Sequence, residues 1–480
     1  MQKLTNLIAN TLKEPASNVY LDNVDPSTGQ VYSHIPRSEA ADLEQAISAA
    51  ESAFESWSTT SQESRSQIML RIAQGIEDRI EEFAMAESRD NGKPVSLATA
   101  VDIPRAVSNF RFFAKAITQF SSESHSMPGT AINYTLKKPI GVVGCISPWN
   151  LPLYLFTWKI APALATGNCV IAKPSEVTPY TAHLLAEVCI AAGLPSGVLS
   201  ILHGLGGEIG ADMVAHPKVK AISFTGGTST GKAIAKVAAP MFKKLSLELG
   251  GKNPNIIFAD CDYDTMLSTT IRSSFANQGQ ICLCGSRILV EESIYEQFKT
   301  DFIAKVKAMK VGDPADINTK TGAVVSKPHM EKILGYIKLA EEEGGTIEAG
   351  GNQVILEGRC AAGYFVEPTV ITGLNQYCRT NQEEIFGPVV TVESFKTEQE
   401  ALEKANAVEY GLASTIWTSD LSRAHRMADK VEAGIVWINC WLLRDLRTPF
   451  GGMKSSGIGR EGGLEALRFF TEPKNVCIKY

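Results

Sequence analysis

Apolar residues recur every three or four positions through EAADLEQAISAAESAFESW, residues 39–57, and again through 62–90, which predicts amphipathic helices over both stretches. From residue 140 the pattern changes. Short β-branched or apolar runs now alternate with helical stretches. IGVVGCISP precedes a helix near 152–166, NCVIAKPSE one at 178–192, SGVLSILHG one at 207–215, and KAISFTGG one at 229–240. Four strand-turn-helix units in succession predict parallel βαβ crossovers, hence an open α/β sheet with helices on both faces. Ligands of such sheets bind beyond the carboxyl ends of the strands, so the segments ending in SPWN, KPSE and FTGG mark the candidate edge. After about residue 250 a second α/β series follows: NPNIIFA, SRILVEESIYEQFKTDFIAKVKAM, FVEPTVITG, VVTVESF, STIWTS and AGIVWIN. The tail EPKNVCIKY reads as an edge strand that pairs with another element, a second subunit being one choice.

Residues 139–158, PIGVVGCISPWNLPLYLFTW, are uncharged and long enough to imitate a membrane span. Pro139, Pro148 and Pro152, with Gly141 and Gly144, would break a lipid-exposed helix, so the segment reads as a buried strand, a turn and a helix start. The 480 residues are 44% apolar and 20% charged, the composition of an ordinary soluble enzyme. Lysine and arginine number 46 against 52 acidic residues, a net charge of -6 with no long run of one sign, which gives no reason to expect nucleic acid or a membrane as partner. Ten scattered cysteines without a C-x-x-C pair, behind an N-terminus too weakly apolar for a signal peptide, suggest reduced thiols in the cytoplasm.

Two glycine motifs resemble nucleotide fingerprints and fail on context. GIGREG at 457–462 matches G-x-G-x-x-G, yet only 18 residues follow it, too few for a βαβ unit. GGTSTGK at 226–232 resembles a P-loop, but the next residue is Ala233, so the hydroxyl that should hold magnesium is absent. What survives is a strand, a glycine turn and a helix N-terminus, which suits a pyrophosphate or is a tight turn only.

FANQGQICLCGSR, 275–287, places Cys282 among small and amide-bearing residues rather than the aliphatics around an inert core cysteine. Taken alone, it is as readily a buried structural thiol as a nucleophile. In LELGGKNP, 247–254, Glu248 stands between Leu247 and Leu249 before a Gly-Gly turn. Such a carboxylate is either partly desolvated, with a raised pKa that suits a general base, or a solvated strand end.

SPWN, KPSE, FTGG-T-x-x-GK, LELGGKNP, NQGQICLCGSR, EEIFGP and PFGGMKSSGIGREGG, in this order, resemble the aldehyde dehydrogenase superfamily from about residue 20 to the end. The resemblance implies an α/β fold with three parts. These are an open parallel-sheet NAD-binding domain, residues 1–120 and 139–249, an α/β catalytic domain, 250–452, and a small β oligomerisation segment, 121–138 and 453–480. It also implies a homo-oligomer, dimer or tetramer. By the same resemblance Cys282 is the nucleophile, Glu248 the general base, and Asn150 the amide that holds the oxyanion with the Cys282 backbone N–H. Lys173 and Glu176 match contacts to the adenosine ribose of NAD. Gly226, Gly227 and Gly231 lie along the pyrophosphate, with Trp149 and Leu249 nearby, and Glu384 and Phe386 match contacts to the nicotinamide ribose and ring. Many members carry serine where this chain has Gly227, so one hydroxyl contact to phosphate is missing. No metal is implied, and none of the seven histidines forms a ligand motif.

Two arginines bear on the substrate. DIPRAVSNFRFF, 102–113, includes Arg105 and CWLLRDLRTPFGG, 440–452, includes Arg444, at places where members acting on neutral aldehydes tend to carry apolar residues. These segments look most like the members that oxidise 2-amino- or 2-hydroxymuconic semialdehydes. On composition alone both arginines could equally be surface residues, and a broader aliphatic or retinal-type aldehyde is the other reading. A non-catalytic relative of the fold is disfavoured by the presence of both Cys282 and Glu248, and a P-loop NTPase by Ala233.

Overall fold

A computed structural model describes residues 1–480. The alternating series after residue 140 forms a parallel sheet whose order places the first strand at the centre. Val142–Ile146 pairs with Cys169–Lys173 on one side and with Val219–Thr225 on the other. Leu199–Ile201 extends the first side and Lys244–Glu248 the second, all parallel. The last of these is a fifth parallel strand, one more than the four predicted. Because successive strands depart in opposite directions from Val142–Ile146, the crevice beside its carboxyl end is the topological switch point where such sheets bind ligands. Antiparallel strands Asn6–Ile8, Thr11–Lys13 and Gly457–Ile458 close the two edges.

The helices lie close to their predicted positions with two exceptions. The stretch 62–90 divides into Gln62–Glu77 and Ile80–Asn91, broken at Asp78 and Arg79. The stretch at 207–215 opens with a π-turn, Gly206–Gly210, before Ala211–Ala215. The uncharged segment 139–158 is the strand Val142–Ile146 and the start of the wholly buried helix Pro152–Ala165. No helix is long and apolar enough to cross a membrane.

The second series builds a seven-stranded sheet centred on Arg287–Glu291, flanked by Pro254–Ile257 and Val389–Phe395 in parallel register. The tail strand finds its partner in its own chain. Thr471–Lys479 pairs antiparallel with Ala131–Pro139 over nine positions, and Ser124–Met127 completes a three-stranded sheet. Within residues 453–470, assigned from the sequence to the oligomerisation segment with the tail, Met453–Lys454 pairs with Tyr410–Gly411, Gly457–Ile458 pairs with Lys244–Glu248 of the first sheet, and Ala466, Leu467 and Phe470 pack into that sheet's core.

Candidate active site

The carboxyl edge of the first sheet faces the loop that carries Cys282. That loop leaves the helix Tyr263–Phe275 through Asn277, Gln278 and Gly279, all with positive φ (50°, 55° and 70°). The amide side chains that marked this stretch in the sequence hold the turn. Gln278 Nε2 donates to the Ala323 carbonyl at 2.9 Å, and Gln280 Oε1 accepts the Val325 N–H at 3.0 Å. Asn253 Nδ2 donates to the carbonyls of Cys282 at 2.7 Å and Cys284 at 2.9 Å. The Cys282 N–H donates to no carbonyl and lies against its own sulfur.

Cys282 lines two cavities. One, of about 480 Å³, also receives Glu248, Leu249, Arg105 and Arg444. The other is narrow and is lined by Glu384 and Phe386 as well. Cys284, buried among apolar side chains, borders only the second. Burial, with Glu384, Glu248 and Cys284 nearby, pushes the Cys282 thiol well above its ordinary range.

Glu248 is the last residue of its strand and is 3% exposed, with neither carboxylate oxygen hydrogen-bonded. Burial, reinforced by the charge of Glu461, holds its pKa far above the usual carboxylate value, against the opposing pull of Lys159 and Arg460. Glu461 accepts from Lys159 Nζ at 2.7 Å and from Ser223 Oγ at 3.1 Å. A Cβ at Gly451 would stand 2.7 Å from Glu248 Oε1, so glycine is required there to leave the carboxylate room.

Asn150 does not line the large cavity. It sits behind the Cys282 loop with Nδ2 donating to the Gln280 carbonyl at 2.9 Å, which leaves its second amide proton over. Its neighbour Trp149 stands edge-on to Phe386, centroids 5.2 Å apart, and to His329 at 5.0 Å.

Among the residues expected to hold the dinucleotide, Lys173 ends its strand buried, with Nζ donating to Glu176 Oε2 at 3.0 Å. Burial would raise the Glu176 carboxyl, but Lys173 and the Gly206 N–H outweigh it and keep the pKa below normal. Gly226 and Gly227 join the strand Val219–Thr225 to the helix Thr228–Ala238. A Cβ at Gly231 would stand 2.5 Å from Leu249, so glycine lets this helix close onto the strand end. No atom lies within 4 Å of a Cβ position at Gly227, leaving the helix N-terminus open. Glu384 Oε1 accepts the Gly251 N–H at 2.9 Å, and burial raises its pKa.

Arg105 and Arg444 share the large cavity, each about 5.5 Å from the Tyr154 ring (5.6 and 5.5 Å). Arg444 donates through Nη1 to the Tyr154 hydroxyl and stacks on Trp158 and Phe450, both at 4.3 Å. Its Nη2 is sealed from solvent without a partner. Burial and the like charge of Arg105 bring its pKa down to about 9. Neither arginine is hydrogen-bonded to a carboxylate.

Several residues at the site were not singled out in the sequence. Glu461 lay inside a motif set aside as a false fingerprint, and Lys159 is the one charge in a fully buried helix, a signal that could have found it. His329, whose Nε2 lies 2.7 Å from the Phe386 carbonyl, and Lys332, donating to the Glu384 carbonyl at 3.1 Å, carry no local signal.

Residues 13–476 match the profile of the aldehyde dehydrogenase family. The chain is 51% identical to a human 2-aminomuconic semialdehyde dehydrogenase, over 96% of this chain and 95% of the relative. It is 46% identical to a 2-hydroxymuconic semialdehyde dehydrogenase of Pseudomonas sp. (strain CF600), over the full length of both. Its fold superposes on the NAD+ complex of an aldehyde dehydrogenase from Bacillus cereus with a TM-score of 0.97, at 38% identity over 100% of this chain and 97% of that one. A thiol and an unpartnered carboxylate at a shared cavity, on this sheet order and with these relatives, place the chain in the aldehyde dehydrogenase family.

Proposed function

We propose that the protein is an NAD-dependent dehydrogenase of an acidic semialdehyde, 2-aminomuconic 6-semialdehyde being the first choice. The observation that carries the substrate class is the pair of arginines, uncompensated by any bonded carboxylate, in the cavity that holds Cys282. Arginine stays charged at neutral pH, Arg444 at its lowered pKa of about 9 included, and forms paired hydrogen bonds to a carboxylate, so an anionic substrate supplies what Arg105 and Arg444 lack. The aldehyde at the other end of the chain then meets Cys282. The Pseudomonas relative keeps the 2-hydroxy analogue as the second reading.

The residues on the other side fit a dinucleotide. The open helix N-terminus at Gly227 suits a pyrophosphate, and Glu384 beside Gly250 and Gly251 suits a ribose. Glu176 presents a carboxylate where an adenosine ribose would lie, which favours NAD because a 2′-phosphate would be repelled.

In the proposed reaction Cys282 releases its thiol proton to solvent and Sγ adds as the thiolate to the aldehyde carbon, which leaves Glu248, whose oxygens have no bonded partner, unprotonated for the later step. The resulting oxyanion takes the free Cys282 N–H and the remaining Asn150 Nδ2 proton. NAD, when bound, supplies the hydride acceptor. Glu248 then takes a proton from the water that hydrolyses the thioester on Cys282, and its raised pKa suits it to that base work.

The arginines provide the test. A charge-assisted hydrogen bond contributes about 1.5–3 kcal/mol. Arg444→Ala or Arg105→Ala should therefore lower kcat/KM on the acidic semialdehyde roughly 10- to 150-fold, at about 1.4 kcal/mol per factor of ten. A neutral aldehyde of similar length should lose little. Equal losses on both substrates would make the arginines structural and remove the argument for an acidic substrate.

A further inference from the structure

A buried cation that the proposed reaction does not use stands directly behind Asn150. Lys93 follows the helix Ile80–Asn91 and is 0% exposed. Its Nζ donates to Asp102 Oδ2 at 2.5 Å, to Glu87 Oε1 at 3.2 Å and to the Asn150 backbone carbonyl at 3.1 Å. Those three bonds use all of its protons. The same carbonyl receives Asn277 Nδ2 at 3.0 Å and Asn91 Nδ2 at 3.4 Å, and Asn91 also reaches the Trp149 carbonyl at 3.0 Å. The backbone at 149–150 is thus gripped from two directions, by the end of one helix and by the loop of Cys282.

Fold stability does not account for this arrangement. Burying an ammonium between carboxylates is costly, and well-packed apolar residues often hold a fold as well or better. Position does account for it. Asp102, the anchor of Lys93, closes the π-turn Ala98–Asp102 and itself lines the Cys282 cavity. Such turns interrupt a helix at a local cost and recur at functional sites.

We propose that Lys93 is a positioning residue that fixes Asn150, through its backbone carbonyl, so that the Asn150 amide proton points where the oxyanion forms. The inference rests on the reading of Asn150 as an oxyanion donor. Asp102 and Glu87 hold the ammonium, the ammonium holds the carbonyl, and the side chain follows.

A double-mutant cycle tests it, using Lys93→Met, Asn150→Ala and the pair, with kcat on aldehyde and NAD binding followed by protein fluorescence. Lys93→Met should lower kcat about 10- to 150-fold, the range for losing one hydrogen bond to a charged group, and leave NAD affinity nearly unchanged. The double variant should be no slower than Asn150→Ala, because both changes remove one function. If instead the two losses multiply, Lys93 acts independently of Asn150 and the inference is overturned. If Asn150→Ala alone keeps full kcat, the oxyanion reading of Asn150 fails first and takes this inference with it. Should Lys93→Met not fold, Lys93→Met/Glu87→Gln removes an acid together with the cation and enters the same cycle. Glu87 is the acid to neutralise, since burial already lifts its pKa to about 7.

Discussion

Two thiols two residues apart, Cys282 and Cys284, differ in what they face. Cys282 borders both cavities, whereas Cys284 is packed among apolar side chains. Cys282→Ala should therefore abolish aldehyde oxidation while NAD still binds, and Cys284→Ala should keep most of the activity. Steady-state rates and fluorescence titration decide it, and the opposite pattern would move the nucleophile to Cys284. Glu248 is tested separately. An amide at this position cannot activate water, so Glu248→Gln should transfer hydride once and stall at the thioester. Rapid mixing should show a burst of NADH near one per site followed by almost no steady rate. Loss of the burst as well would put Glu248 before hydride transfer, as the sole acceptor of the Cys282 proton. At this scale pH acts through the same group. Because the Glu248 pKa is raised, the base is present only above that raised value, and activity should climb with pH through a range where an ordinary glutamate is long since ionised.

The loop from Asn277 to Gly279 is the element on which the site depends. Three successive left-handed residues cost backbone energy, and two of them are not glycine. At Gly279, φ is +70° and an added Cβ would fall on the Gly387 carbonyl oxygen. Gly279→Ala should lose at least about 1–2 kcal/mol from the backbone alone, read as a lower midpoint in chemical denaturation, and more activity than that loss explains. An unchanged midpoint and rate would show that the loop has room to relax. Elements of this kind were only half legible in the sequence. The strands and helices of the first sheet follow from alternation of short apolar runs and helical stretches, since burial on both faces demands that pattern. The break at Asp78 and Arg79 was not legible, because apolar spacing continues across it while the chain direction changes. The π-turn at 206–210 escaped for a similar reason: one widened turn leaves hydrophobic spacing almost intact.

Across the whole molecule, the site exists because two sheets meet, and contact between distant segments is what local pattern reports least. Cys282 and Glu248 stood out because their neighbours were chemically unusual, whereas His329 and Lys332 reach the site from an ordinary amphipathic helix. The tail strand shows the same limit. Its edge character was visible, but its partner, 340 residues earlier between Ala131 and Pro139, was not. One feature of the assembled site governs traffic through it. Cys282 belongs to the walls of both cavities, so the proposed nucleophile sits in a partition between the large cavity and the narrow cleft. Such a partition separates the routes of the two reactants. With the dinucleotide on the Glu384 side, as proposed, the acid could leave through the large cavity without displacing it, and spent dinucleotide could be exchanged while the acyl group stayed sheltered. An enzyme so built would have two separate doors, the acid leaving by one and the dinucleotide by the other.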